Sequence, residues 1–234
     1  MSNLEKGASY YLLRSYSVLV DVGVVAILAI LMSLAMQMEA LTSKGEDYLV
    51  LVLYVVLLGL TFIQSGSMIV DLTAKDKLSK RIELFAASGT PVKEIIQKYS
   101  VQIFRLSSVI PFLVFMSCYY FNDWTMGFER IVGVYISILA VSFFEILALN
   151  IAVLDVKRIK LFKNVLFFGN FALIYFISMS AERITELLRG KNLAIEIVII
   201  AFNVFLCVIF AAFDMLKLHR ISNESVIRRE GQWV

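Results

Sequence analysis

Little in this chain could hold a metal, close a disulfide framework or recognise nucleic acid. There is one histidine, His219, and there are two cysteines, Cys118 and Cys207, each inside a long apolar run and without CxxC spacing. A Cys/His metal cluster is therefore excluded, and both thiols read as apolar packing residues. No GxxxxGK[ST] phosphate loop, HExxH pair or nucleophile elbow occurs, so the chain has no ATP-cradling loop of that type and is not expected to be an enzyme. The paired intramembrane charges of an ion-coupled carrier are missing too, as is an inverted pair of broken helices. The net charge of +3 comes without a basic-aromatic surface, which leaves nucleic acid out as a partner. Charged residues make up 18% of the chain, against about 25% in soluble domains, and only two of the 234 residues are proline.

What is abundant is apolar sequence in long blocks. Hydrophobic residues reach 60% with a mean hydropathy of +0.82. A helix needs about 20 mainly apolar residues to cross a bilayer core. Six blocks reach that length: about 18–38, 48–70, 101–121, 131–154, 161–180 and 193–216. The expected fold is an all-α integral membrane domain of six transmembrane helices, since a strand-built barrel needs shorter, alternating segments. The first 17 residues are too polar and the first apolar run is too long for a cleavable signal, so the N-terminus is expected to be retained.

The positive charges set the expected orientation. The N-terminal segment, the stretch between spans two and three with the start of span three, the fourth loop and the C-terminal tail carry 2, 7, 4 and 4 basic residues, seventeen of the 22. Lys44, Arg130, Arg183, Arg189 and Lys191 fall on the other side. Both termini are expected to be cytoplasmic, with the chain in a bacterial inner or plasma membrane. The segment through residue 17, with Tyr10, Tyr11 and Tyr16 beside Lys6 and Arg14, suits an interfacial helix lying at headgroup depth.

The longest polar interval is Asp71–Lys98, DLTAKDKLSKRIELFAASGTPVKEIIQK. Leu78, Ile82 and Phe85 fall on one helical face at i, i+4 and i+7. Gly89 offers a left-handed cap. Thr90 and Pro91 then read as an N-cap hydroxyl and a proline at the first helical position, starting a helix that runs through Ile95 and Ile96 into span three. A short amphipathic helix, a break and a restart is more structure than a loop needs to turn the chain, so this unit is expected to dock something.

Three intramembrane polar residues stand out. Asp21 lies about one turn inside the first span and reads either as a snorkelling structural carboxylate or as a functional one. Glu145 near the middle of span four reads either as a lock between two helices or as a functional site, with Asn150 nearer the cytoplasm. Gln64-Ser65-Gly66-Ser67 permits close helix approach. Pro111 is expected to kink span three at its centre, and Ala181–Asn192 to form a short external amphipathic helix.

The run Lys80-Arg81-Ile82-Glu83-Leu84-Phe85-Ala86-Ala87-Ser88-Gly89-Thr90-Pro91, followed by Glu94-Ile95-Ile96, resembles the cytoplasmic segment between spans two and three of ABC-2-type permeases. One departure is that Arg81-Ile82 stands where that family often has Gly-Thr before the Glu. The resemblance extends to six spans, an N-terminal interfacial helix and inward termini. It implies a permease subunit that binds no cofactor itself and works with two cytoplasmic ATPase subunits, which carry ATP and Mg. A second copy of the permease, or a relative, would complete the transporter. Asp71–Lys98 would hold the coupling helix, with Leu78, Ile82, Leu84 and Phe85 as its apolar members. Ile82 and Phe85 would anchor in a groove of the ATPase while Lys80, Arg81 and Glu83 fix register at the rim. Gly89, Thr90 and Pro91 would keep the following helix rigid. The implied cargo is an amphipathic, antimicrobial or cytolytic peptide. A drug, lipid or polysaccharide exporter, or a membrane adaptor without a transport path, are the alternatives.

Overall fold

The computed structural model describes residues 3–121, 124 and 127–227. Among them helices α1 (Asn3–Arg14), α2 (Tyr16–Ala35), α3 (Glu39–Thr42) and α4 (Glu46–Ile69) come first. Helix α4 continues through a π-helical turn (Val70–Ala74) into α5 (Lys75–Leu78), after which come α6 (Arg81–Ala87), α7 (Val92–Ser107) and α8 (Val109–Phe121). The chain ends in α9 (Phe128–Asp155), α10 (Ile159–Gly190), α11 (Ile195–Arg220) and α12 (Asn223–Ile227). Helices account for 88% of the structure, no strand forms among the described residues, and six helical stretches are long and apolar enough to cross a membrane. Arg228 and Arg229, counted above with the tail, and most of the loop before α9 lie outside the described residues.

Helix α4 is the hub of the bundle. In its apolar stretch 83% of residues are buried, against 6% for α10, and it packs on α2, α8, α9, α10 and α7. Gly59 allows the closest approach: a methyl group there would fall 2.5 Å from Ile174 on α10. Helices α4, α9 and α11 run in the same direction. The Arg130–Glu196 ion pair (3.3 Å) joins the starts of α9 and α11, and Lys217–Asp155 (2.9 Å) joins their ends.

Apolar surface gains nothing by leaving lipid, so buried polar contacts and close packing carry helix association in a membrane, at about 0.6 kcal/mol for an average interhelical hydrogen bond. Here those contacts form layers. Tyr54 donates to Asn203 (2.8 Å), which donates to Ser137 (2.8 Å), linking α4, α11 and α9. Ser65 donates to Glu145 (3.3 Å) between α4 and α9. Thr73 donates to Asn150, which donates to Ser100 (2.9 Å), joining the π-helical turn, α9 and α7.

One end of the bundle gathers the basic segments foreseen from the charge count. Helix α1 buries Glu5, Ala8 and Leu12, one face at i, i+3 and i+7, against α7, while Tyr10 and Leu13 stay exposed. Lys98 pairs with Glu5 (2.9 Å) and Ser9 donates to Gln102 (2.7 Å). Helix α12 packs on α6 at the same end.

Of the local expectations, the discontinuity from Pro111 is present and the separate helix over Ala181–Asn192 is corrected. Span three breaks at Ser108, one turn before Pro111. The proline ring conflicts with the carbonyl four residues earlier, that of Ser107, so the discontinuity falls there. No separate helix forms over Ala181–Asn192: α10 runs unbroken to Gly190, because no helix breaker follows Ser180 and its polar residues find partners, Glu182 with Lys44 and Arg189 with Asp47 (3.7 Å). Beside Glu182, outside the apolar core, the Lys44 ammonium is held above its ordinary pKa by that hydrogen bond. Neither Cys118, which is buried, nor Cys207, half-buried, takes part in a disulfide.

Candidate docking unit at the basic end

The Asp71–Lys98 unit is less continuous than its periodicity predicts. Helix α5 stops at Leu78, and Lys80 adopts a left-handed conformation (φ 59°) before α6 begins at Arg81. That conformation costs a non-glycine residue about 1–2 kcal/mol, and neither Ser79 nor Lys80 signals it in the sequence. The expected apolar face survives the break, since Leu78, Ile82 and Phe85 all meet one hydrophobic cluster with Ile95, Ile96 and Tyr99. At the far end the glycine expectation holds. Gly89 (φ 90°) closes a Schellman motif, with Gly89 N–H bonded to Ala86 O (3.2 Å) and Thr90 N–H to Phe85 O (3.0 Å).

The N-cap of α7 is displaced by one residue. Pro91, not Thr90, occupies it, and no side chain of the unit supplies the capping bond. Asn223 does so instead: its Oδ1 accepts the Val92 N–H at 3.0 Å. A residue 131 positions away thus does what a local hydroxyl was expected to do. Asn223→Ala is expected to cost about 1 kcal/mol, read as a small drop in the thermal unfolding midpoint in detergent, with Lys93→Ala, at an exposed position of α7, unchanged.

Charged groups brace the unit from below. Asp76, 4% exposed, accepts the Tyr99 hydroxyl (2.6 Å) and pairs with Arg81 (3.3 Å), whose guanidinium lies 5.6 Å from the Tyr11 ring centre. Helices α5, α6, α7 and α1 are tied together through that carboxylate. Lys77, also buried, donates to the carbonyls of Val153 (3.1 Å), Leu154 (2.8 Å) and Val156 (2.6 Å). These belong to the last turn of α9 and its C-cap, where carbonyls lack helical partners and the helix dipole favours a cation. Nothing local in the sequence separates Asp76 and Lys77 from the solvated charges around them.

The outer face of α6 is what remains available to a partner. Ile82 is 1% exposed and turned into the chain's own core, so it is not free to anchor elsewhere, and Phe85 is half-buried against the same core. Leu84 is 68% exposed. Lys80, Arg81, Ala87, Ser88, Gly89 and Pro91 are exposed around it, with Glu83 and Thr90 half-buried.

No family model matches this chain, and neither does any curated protein or solved structure.

Among the intramembrane candidates, Asn150 is fully buried and bonded on two sides, and Glu145, 5% exposed, meets Ser65 alone among its described hydrogen-bond partners. Both surroundings are those of interhelical locks. Asp21 is different: it accepts from Ser67 and lines an open cleft between α2, α4 and α10. No group of three or more potential metal ligands occurs among the described residues.

Proposed function

We propose that this chain is the membrane-spanning subunit of a transporter driven by separate ATP-binding-cassette subunits, and that α6 is the helix on which a cytoplasmic ATPase docks. The observation that supports this reading is the exposed Leu84 on a short amphipathic helix whose opposite face is pinned to the bundle. A lone surface leucine means little, but this one is ringed by Lys80 and Arg81 and sits on a platform braced by Asp76, Lys77 and Asn223. A buried apolar anchor with charges at the rim is how a compact interface gains both affinity and register.

Motion of α6 would reach the spans by two routes. One is through Lys77 to the end of α9. The other is through the π-helical turn to Thr73, Asn150 and Ser100. Span four is thus tied to the docking unit as firmly as span three. The positive-inside rule puts this end in the cytoplasm, and the resemblance of residues 80–96 to ABC-2 permeases supplies the partner class. An amphipathic peptide remains the proposed cargo, with a second permease copy or relative completing the path.

The test is purification of tagged chain in mild detergent, with co-purifying proteins identified by mass spectrometry. A stoichiometric ATPase subunit is expected, lost on Leu84→Asp while the variant keeps its elution volume and thermal midpoint. An intact, monodisperse preparation without any ATPase would overturn the reading, and a bound partner without ATP turnover would point to an adaptor.

A further inference from the structure

The cleft that Asp21 lines measures about 430 Å³ and lies between α2 and α10, with α4 as its floor. Its wall on α2 follows from an antiparallel pairing with α4. Ser17 of α2 donates to Asp71 in the π-helical turn that continues α4, and one turn on, Ser67 of α4 donates to Asp21 of α2. Asp71 is also paired with Lys75 (2.6 Å) and accepts from Ser15 (3.1 Å), so its charge is balanced. Among the described residues Asp21 makes no ion pair, and Ser67 is its one hydrogen-bond partner.

The opposite wall carries the complementary imbalance. Lys163, Leu166 and Phe167, at i, i+3 and i+4 of α10, turn one face into the cleft. Lys163 is exposed and makes no ion pair among the described residues. Both charges lie near the basic end: Asp21 is five residues into α2 and Lys163 four into α10. At 1.5 Å per residue, each is roughly 6–8 Å along its helix. Beyond them the lining is mostly apolar, with Val24 and Leu28 on α2 and Leu166, Phe167 and Phe171 on α10 around one polar side chain, Asn170.

We propose that this cleft is a binding site for a phospholipid with a zwitterionic, primary-ammonium headgroup, of the phosphatidylethanolamine type. The ammonium would meet Asp21, the phosphate would meet Lys163, and an acyl chain would fill the apolar end. Each half of such a headgroup balances one charge that the protein leaves unbalanced, at the depth where lipid headgroups give way to chains. A purely anionic lipid would satisfy Lys163 and leave Asp21 facing a phosphate. A quaternary ammonium has no N–H to donate to the carboxylate. The proposal stands independently of the transport reading, since it concerns a lipid held at rest.

Delipidated full-length protein, offered defined phosphatidylethanolamine, phosphatidylcholine or phosphatidylglycerol in detergent, tests it by native mass spectrometry. Phosphatidylethanolamine is expected to be retained about tenfold over the other two, the ratio a single charge-assisted contact provides. Asp21→Asn should abolish that preference and leave phosphatidylglycerol the better ligand. Lys163→Gln should lower retention of all three. Should either charge variant not fold, Leu28→Trp fills the apolar end without touching a charge and should also lower retention of all three. Equal retention of phosphatidylglycerol by the unaltered chain would overturn the proposal. So would retention that survives both charge substitutions, or no retention at all, as expected if Asp21 and Lys163 simply pair with each other.

Discussion

Lys77→Met is expected to lower the thermal unfolding midpoint in detergent by about 6–12 °C. The substitution keeps an unbranched apolar stem of similar length and deletes only the ammonium. That group donates to three carbonyls at the end of α9, between 2.6 and 3.1 Å away. Hydrogen bonds involving a charged donor contribute about 1.5–3 kcal/mol each, and an acceptor left buried without a partner costs about as much. Some of the carbonyls would recover water near the end of the bundle, so a net loss of about 3 kcal/mol is a fair expectation. For a chain of this size each kcal/mol moves the midpoint by about 2–4 °C. Lys93→Met, at an exposed position of α7, serves as the control and should leave the midpoint in place. An unchanged midpoint for Lys77→Met would mean that the cap contributes nothing to stability. Limited proteolysis offers a second reading, because the connection after α9, around Val156–Arg158, should become the first site of cleavage.

Ile82→Asp should damage the chain more severely, and in a way that separates folding from docking. Ile82 is 1% exposed, inside the cluster that joins α6 to α7. Losing the side chain alone costs about 2–5 kcal/mol, and a carboxylate in its place adds the cost of burying a charge without a partner. The outcome expected is release of α5 and α6 from the bundle, seen as rapid hydrogen exchange over residues 75–90 and a fall in yield. Leu84→Asp, two positions along the same helix, should leave exchange and yield as they are and remove only the partner. If Ile82→Asp were as well folded as Leu84→Asp, the inward placement of Ile82 would be mistaken, and the two residues would have to share the outer face.

Much of this architecture is visible in residue order because a bilayer reduces the problem to length and hydropathy. Six apolar runs of sufficient length appear as six helical stretches, several of them extended by two or three turns where polar ends continue the helix beyond the apolar core. Gly89 was legible as a left-handed cap because glycine alone adopts that conformation without strain. The face of Leu78, Ile82 and Phe85 was legible as well, through its spacing. The break between Leu78 and Ile82 was not, since a lysine carries no mark of a positive φ. The π-helical turn at Val70–Ala74 is equally silent in the sequence. It places Thr73 against Asn150, a contact between residues 77 apart.

The candidate site divides in the same way. Periodicity identified the unit and the basic end, but it treated every member of the apolar face as available to a partner. Only the packed chain shows that Ile82 is spent on the protein's own core while Leu84 is not. Asp21 was conspicuous as a carboxylate within a span, yet its role hung on what faced it, and Lys163 had been counted only among the charges that set orientation. The sequence by itself determined the class of molecule, the number of apolar spans, the basic end and the place of the amphipathic unit between spans two and three. Each of these rests on a local property: hydropathy, charge, or the conformational freedom of one residue. Tertiary structure alone decided which charges are buried, which helix end Lys77 caps, which residue caps α7 and which two unbalanced charges share a cleft. Those are matters of proximity between distant segments, and spacing along the chain does not encode them.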